Sequence, residues 1–211
     1  MIVTVLLVVV AYLLGSIPSA VWIGKRFYGV DVREHGSRNA GATNTLRVLG
    51  RRAATPVLLL DMAKGFAAVM LFHLSPYKGT DFEFYLKLIL IVAVVLGHIF
   101  PLFAGFKGGK GVATMTGAVL GMYPPAVFLC LLTFLLVLAI SHYVSLSSMT
   151  AGVMFPVYLV LVFGETYLPL IIFACVVAVV LIITHRKNIR RLINGTESKI
   201  YLWKPKSRSE E

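Results

Sequence analysis

Acidic residues are scarce in this chain: nine Asp and Glu stand against twenty Lys and Arg in 211 residues, for a formal net charge of +11. Charged residues of both signs reach only 14%, against 58% hydrophobic residues, and the mean hydropathy is +0.87. So little charge cannot cover a soluble surface, which leaves an integral membrane protein. In a soluble protein the basic excess would suggest nucleic acid. Here it crowds the ends of apolar segments, where topology and anionic lipid account for it, so no nucleic-acid partner is expected. Cysteine is nearly absent. Cys130 and Cys175 lie inside apolar runs with no His or Cys at metal-ligand spacing, which excludes a disulfide or zinc framework. Familiar catalytic devices are missing as well. The segment around Lys110 fails the P-loop pattern, and there is no Gly-x-Ser-x-Gly elbow, no His-Glu-x-x-His and no histidine followed at the fifth position by aspartate. Asp61 is the only carboxylate expected in the core, too few for a protein-held magnesium cage, so neither a metal nor a cofactor is expected.

Two small-residue, donor-rich stretches are present instead. The first runs Gly36-Ser37-Arg38-Asn39-Ala40-Gly41-Ala42-Thr43-Asn44-Thr45-Leu46-Arg47, and the second Gly105-Phe106-Lys107-Gly108-Gly109-Lys110-Gly111. Glycine lets backbone approach a ligand, Ser, Thr and Asn are short hydrogen bonders, and Arg and Lys attract phosphate or carboxylate. If the apolar run after Gly111 is helical, its first turn aims unpaired N–H groups at whatever the lysines attract. The plain alternative is a pair of basic membrane-flanking loops.

In chain order, Ile2 to Gly24 is long enough to cross a bilayer core of roughly 30 Å, and Lys25-Arg26 at its far end favours a retained helix over a cleaved signal peptide, with the N-terminus outside. The patch Gly15-Ser16-Ile17-Pro18-Ser19 interrupts it, either facing a polar cavity or forming a packing notch. Lys25 to Arg52 is basic and therefore cytoplasmic. The next span, about 53–74, carries Asp61 and Lys64 on one face, as functional groups or as a structural ion pair. A third span over about 85–104 brings His98 toward the cytoplasmic end.

The run from Val112 to Ile140 is ambiguous. The basic loop before Arg52 and the basic stretch after Arg186 belong on one side, so an even number of crossings separates them. Spans near 53–74, 85–104, 149–163 and 167–184 make four, so this run as a single fifth span would break parity, and a break at Tyr123-Pro124-Pro125 restores it. The first of these two helices is then short or tilted, about 18 Å at 1.5 Å per residue. The stretch from Ser141 to Ser148 reads as a polar inner loop. Continuing the last span as a helix puts His185 and Asn188 on one face. The expected fold is all-α and integral to the membrane, with seven transmembrane helices, N-terminus outside and C-terminus cytoplasmic. A single domain over 1–195 is followed by a basic cytoplasmic tail over 196–211. His98, the Lys107–Lys110 loop, His142, His185, Asn188 and the Ser37–Arg47 stretch all reach the cytoplasmic face, whereas His73 falls on the other.

The motifs Gly15 to Ser19, Gly36 to Asn44, Asp61-Met62-Ala63-Lys64-Gly65, Gly97-His98-Ile99-Phe100-Pro101, Lys107 to Thr114 and His185-Arg186-Lys187-Asn188-Ile189 resemble, in order, those of the bacterial acyl-phosphate:glycerol-3-phosphate acyltransferase family, PlsY type. The resemblance implies a multi-pass enzyme of the bacterial inner membrane, its active site facing the cytoplasm. Such an enzyme moves a fatty acyl group from acyl phosphate, not from acyl-CoA or acyl carrier protein, to the 1-hydroxyl of glycerol 3-phosphate. Lysophosphatidic acid and phosphate result, the first step of phospholipid synthesis. It also implies membrane lipid and the soluble maker of acyl phosphate as partners. On that resemblance, Arg47 and Lys110 with Ser37, Arg38 and Lys107 hold the two phosphates, and the Gly108 and Gly109 backbone adds N–H donors. Asn39, Asn44 and Ser145 orient the substrates, and His98 stands beside the phosphate loop. Lys64 with Asp61 braces that loop, and His185 and Asn188 lie nearest the reacting carbonyl. The base is either His185 or a phosphate oxygen of the donor. The other readings are a transporter of phosphate or a phosphorylated metabolite and an inactive scaffold subunit. Against transport, no inverted repeat is visible and the outer loops carry almost no cations.

Overall fold

The computed structural model describes residues 2–201; Lys204, Lys206 and Arg208, expected in the basic tail, lie outside the described residues. Ten α-helices occupy the described chain. They divide into two compact units, one up to Val127 and one from Phe128 onward, the division falling inside the seventh helix.

In the first unit, α1 (Ile2–Gly15) and α2 (Ser19–Tyr28) meet at an angle of 41°. The break is the expected one, because Pro18 has no N–H to continue the ladder. α3 (Ala42–Leu49) and α4 (Arg51–Met70) are separated by Gly50, whose φ of 81° is a glycine conformation. α5 (Phe82–Ile99) returns across the unit to the Lys107–Gly111 loop, and α6 (Val112–Met122) follows. Lipid tails are as apolar as leucine, so helices in a bilayer associate by close van der Waals approach. Glycines provide it at two helix pairs: a Cβ on Gly117 of α6 would overlap the Met62 carbonyl of α4, and one on Gly97 of α5 would overlap the Tyr12 carbonyl of α1. Ala20, Val32 and Val57 form a small core between α2, α4 and the 3-10 turn Val32–Glu34.

The second unit takes up α7 (Pro124–Ser141) from Phe128 onward, then α8 (Val144–Leu161), α9 (Leu168–Thr184) and α10 (Arg186–Ile193). The break between α6 and α7 falls at Tyr123, within the expected Tyr123-Pro124-Pro125, and proline is tolerated in a helix's first turn because its missing N–H would have no intrahelical partner there. The polar loop expected over 141–148 is shorter than that. Only His142 and Tyr143 separate the helices, and Ser145, Ser147 and Ser148 lie inside α8. Serine enters the helix here because its hydroxyl can be satisfied locally: Ser147 Oγ donates to the Tyr143 carbonyl at 2.9 Å and Ser148 Oγ to the Val144 carbonyl at 2.8 Å.

Four helical segments are long and apolar enough to cross a membrane: Arg51–Leu74, Phe82–Ala104, Pro124–Ser141 and Val144–Leu161. The bent pairs α1 with α2 and α9 with α10 raise the number to six, and Val112–Met122 is a shorter apolar helix. Over the described residues the protein is therefore an all-helical, multi-pass membrane protein with four to six candidate spans by length and composition.

Candidate active site

The first cationic stretch is half loop and half helix, since the residues from Ala42 onward form α3. Its fold is held by Asn44, which is fully buried. Asn44 Oδ1 accepts from both the backbone N–H (2.8 Å) and the hydroxyl (3.0 Å) of Ser37, while Nδ2 donates to the carbonyls of Val32 (2.7 Å) and His35 (3.1 Å). Asn44 thus spends its amide on the loop, and Ser37 donates both its N–H and its hydroxyl to Asn44. The clip forces Gly36 and Arg38 to φ values near +58°. At Arg38 this is an uncommon conformation for a residue with a Cβ, and it sets the exposed guanidinium at the turn. Asn39, the next residue, and Arg47, in the last turn of α3, are half-buried.

The second stretch is tied to the first. Arg33 forks onto Asp31, with Nη2 at 2.7 Å from Oδ2 and Nε at 3.0 Å from Oδ1, and its Nη1 donates to the Ala104 carbonyl at 2.8 Å. The Arg33 guanidinium holds the Asp31 carboxyl well below the usual carboxylate range, against the opposing effect of burial. The loops also meet at Gly109, where an added Cβ would lie 3.1 Å from the Ala40 carbonyl and overlap His98 Nε2.

The expectation that Gly108 and Gly109 offer N–H groups to a phosphate does not hold. Gly108 donates to the Ile99 carbonyl (3.2 Å) and Gly109 to the His98 carbonyl (3.1 Å). These carbonyls belong to the last turn of α5, where no intrahelical donor reaches them, and the loop folds back to satisfy them. Lys107 is exposed and Lys110 half-buried, and the first turn of α6 follows.

Beneath this loop lies a buried polar network. Lys64 Nζ is 2.8 Å from Asp61 Oδ1 and donates to the Ile17 carbonyl at 2.9 Å, at the break between α1 and α2. Ser19 Oγ donates to Asp61 Oδ1 at 2.9 Å. His98 Nδ1 lies 3.1 Å from Thr114 Oγ1 and 3.6 Å from Asp61 Oδ1. Lys64, expected to brace the phosphate loop with Asp61, and His98, expected beside that loop, are nearly inaccessible at 7% and 6% exposure. The pairing of Asp61 with Lys64 on one helical face is as the sequence reading had it.

In the second unit, His185 does not continue α9. The helix stops there and α10 leaves at 60°, so the shared face of His185 and Asn188 comes from a bend, not a continuous helix. Both residues are buried. His185 Nδ1 meets the Leu181 carbonyl at 2.8 Å, a contact that requires the proton on Nδ1 and leaves the imidazole lone pair on Nε2. Asn188 Nδ2 donates to Glu197 Oε1 at 2.7 Å, Ser145 Oγ donates to the same oxygen at 2.9 Å, and Arg191 Nε donates to Oε2 at 2.6 Å. Burial alone would raise the Glu197 carboxyl, but bonds from Arg191, Asn188 and Ser145 outweigh it and hold it below the ordinary glutamate value. The next residues are engaged too: Ile200 N–H donates to the His142 carbonyl at 2.8 Å, and the Tyr201 and His142 rings lie 4.6 Å apart.

Glu197 is a residue the sequence does not single out: Asp61 reads as the only core carboxylate, and Glu197 falls in the basic tail expected over 196–211. A signal was present. Gly195 follows α10 in a left-handed conformation, its N–H bonds the Leu192 carbonyl and the Thr196 N–H bonds the Arg191 carbonyl, the hydrogen-bond pattern of a Schellman cap. Such a cap turns the chain back on its helix.

The family model described as glycerol-3-phosphate acyltransferase matches residues 5–195. The chain belongs to the glycerol-3-phosphate acyltransferase family. Curated relatives of that name include one from Geobacillus kaustophilus, 46% identical over 93% of this chain and 96% of its own length. Another, from Salinibacter ruber, is 42% identical over 94% of this chain and 93% of its own. Among solved structures, the integral membrane glycerol 3-phosphate acyltransferase PlsY in its glycerol 3-phosphate form superposes with a TM-score of 0.83 at 37% identity, covering 94% of this chain and 96% of that one. Its lysophosphatidic acid form gives 0.80 at 36% identity, covering 94% and 95%. These relatives are enzymes, and the transporter reading finds no support among them. In glycerol-3-phosphate acyltransferase terms, the arrangement offers cations on two joined loops of the first unit and a histidine–asparagine–glutamate cluster in the second. Among the described residues, no three His, Cys, Asp or Glu side chains gather where they could hold a metal ion.

Proposed function

We propose that the chain moves a fatty acyl group from acyl phosphate to the 1-hydroxyl of glycerol 3-phosphate, releasing lysophosphatidic acid and phosphate. The observation that carries this reading is the joining of the two cationic loops through Arg33 and the Ala104 carbonyl. Both substrates bring a phosphate, and two linked cationic elements suit a reaction that must hold two phosphates at once. Arg38, Arg47, Lys107 and Lys110 supply the charge, and Asn39 offers an amide. Ser37 and Asn44 fix the first loop, and His98, Lys64 and the Gly108–Gly109 backbone fix the second. Glycerol 3-phosphate and lysophosphatidic acid, the ligands of the two PlsY forms, fit this scheme as substrate and product.

The 1-hydroxyl oxygen attacks the acyl carbonyl carbon, a new ester C–O bond forms, and the bond from that carbon to the phosphate oxygen breaks. Phosphate is a good leaving group, so positioning and charge stabilisation supply much of the rate. The hydroxyl proton goes to His185 Nε2, whose lone pair the Nδ1 contact sets, or to a phosphate oxygen of the donor. Ser145 and Asn188, aligned by Glu197, orient the groups around the carbonyl. We place seven helices across a bacterial inner membrane, Val112–Met122 being the short one. The N-terminus is outside, and the catalytic loops and C-terminus are cytoplasmic. Residues 1–195 form one acyltransferase domain, to which Glu197 is fastened, and the basic tail follows. The soluble enzyme that makes acyl phosphate is the natural source of the donor.

The test is phosphate release by the detergent-purified protein given palmitoyl phosphate with and without glycerol 3-phosphate, beside palmitoyl-CoA. Release that needs both substrates and yields lysophosphatidic acid, with none from the CoA ester, is expected. Turnover from the CoA ester alone, or none from either donor by folded protein, would overturn the donor assignment.

A further inference from the structure

We propose that Asp61 is a positioning residue for the Lys107–Gly111 loop, acting through His98. The inference rests on the reading that this loop holds a substrate phosphate. His98 is fixed to the loop in two ways: its carbonyl takes the Gly109 N–H at 3.1 Å, and its Nε2 edge lies so close to the Gly109 Cα that no Cβ fits between them. The ring's other nitrogen, Nδ1, lies between Thr114 Oγ1 at 3.1 Å and Asp61 Oδ1 at 3.6 Å. A ring held at both edges cannot turn without displacing Gly109, and Lys110 is the next residue. Asp61 in turn cannot swing, because Ser19 Oγ (2.9 Å) and Lys64 Nζ (2.8 Å) both hold the oxygen that faces His98.

Asp61 therefore has two separable tasks. It neutralises Lys64, a buried cation that would be costly alone, and it sets the His98 ring and with it the height of the Gly109–Lys110 backbone. Charge neutralisation is a stability matter that removing both charges together would relieve. Loop height is a binding matter that removing both charges would leave damaged. Thr114 shares only the second task.

Steady-state kinetics of the purified full chain, with palmitoyl phosphate and glycerol 3-phosphate varied in turn, separate these. Lys110→Ala identifies the substrate the loop holds, by raising that KM about tenfold or more. Asp61→Asn/Lys64→Met and, separately, Thr114→Val are expected to raise the same KM, by about three- to tenfold, with kcat within about threefold of wild type. The thermal midpoint of the double variant is expected to recover most of what Asp61→Asn loses. Wild-type KM values in both variants, a loss confined to kcat, or a change only in the other substrate's KM would overturn the proposal. If the double variant does not fold, Thr114→Val decides by the same criteria. Lys110→Ala with both KM values unchanged would instead overturn the phosphate-loop reading on which the proposal stands.

Discussion

Arg33 Nη1 donates to the carbonyl oxygen of Ala104 at 2.8 Å, across 71 positions of sequence. The same guanidinium forks onto Asp31, so one side chain sets the entry to the first cationic loop and holds the second against it. A lysine cannot replace it, because a single ammonium lacks the planar fork that reaches both carboxylate oxygens and a carbonyl.

Arg33→Gln is accordingly expected to raise both substrate KM values together and to lower kcat/KM by about tenfold, the scale of one charge-assisted hydrogen bond. Initial-rate measurements with each substrate varied would check this. A change in one KM alone would mean that the loops do not move as one.

Asp31 makes acid stability testable. Its folded-state pKa lies below the unfolded value of about 3.9, so its contribution is complete above about pH 4 and is lost as pH falls through the lowered native value. Thermal midpoints of wild type and Asp31→Asn are expected to differ by a constant amount from pH 5 upward and to converge below about pH 4. A gap that widens on acidification would contradict the sign.

Gly109→Ala places a methyl group where His98 Nε2 stands and close to the Ala40 carbonyl. Activity is expected to fall by about 10²-fold, since misplacing a positioning group by an ångström costs that much. The overall helical content should be unchanged by circular dichroism. Near-wild-type turnover would show that the loop can be rebuilt around the methyl group.

Glu197→Gln keeps the shape of the side chain but removes the charge that three donors share. A loss of about 1–3 kcal/mol in stability is expected at pH 7, visible as a lower thermal midpoint. That loss should shrink as pH falls below the ordinary glutamate value of about 4.3, because the folded pKa is depressed and wild type then loses the same contribution.

His185→Ala is expected to lower kcat by about 10²-fold or more with little change in KM if Nε2 takes the hydroxyl proton. A mainly raised KM would assign the proton to the donor phosphate.

Local features were legible in the sequence. The Pro124-Pro125 break, the kink before Pro18 and the pairing of Asp61 with Lys64 follow from residue chemistry within a few positions, and the structure has all three. What could not be read are pairings decided by distant backbone. Nothing near Gly108 or Gly109 says that their N–H groups go to the end of α5, and nothing near His98 says that its ring faces Asp61 instead of a ligand. The serines after Tyr143 read as loop because their polarity was counted without the helix carbonyls that absorb it. Glu197 stood in a run of polar and basic residues, where a carboxylate is ordinarily solvated; only the turn at Gly195 marked its return.

The pairing of Lys64 with the Ile17 carbonyl and of Asp61 with Ser19 has a consequence for biogenesis. The acceptor and the donor on the first, broken span wait for partners made 47 and 42 residues later. An unmatched polar group in hydrocarbon costs several kcal/mol, so the first span leaving the insertion machinery is an unfinished product. It becomes settled in lipid only when the Asp61–Lys64 segment arrives beside it, and variants of that pair should be scored for membrane yield as well as turnover.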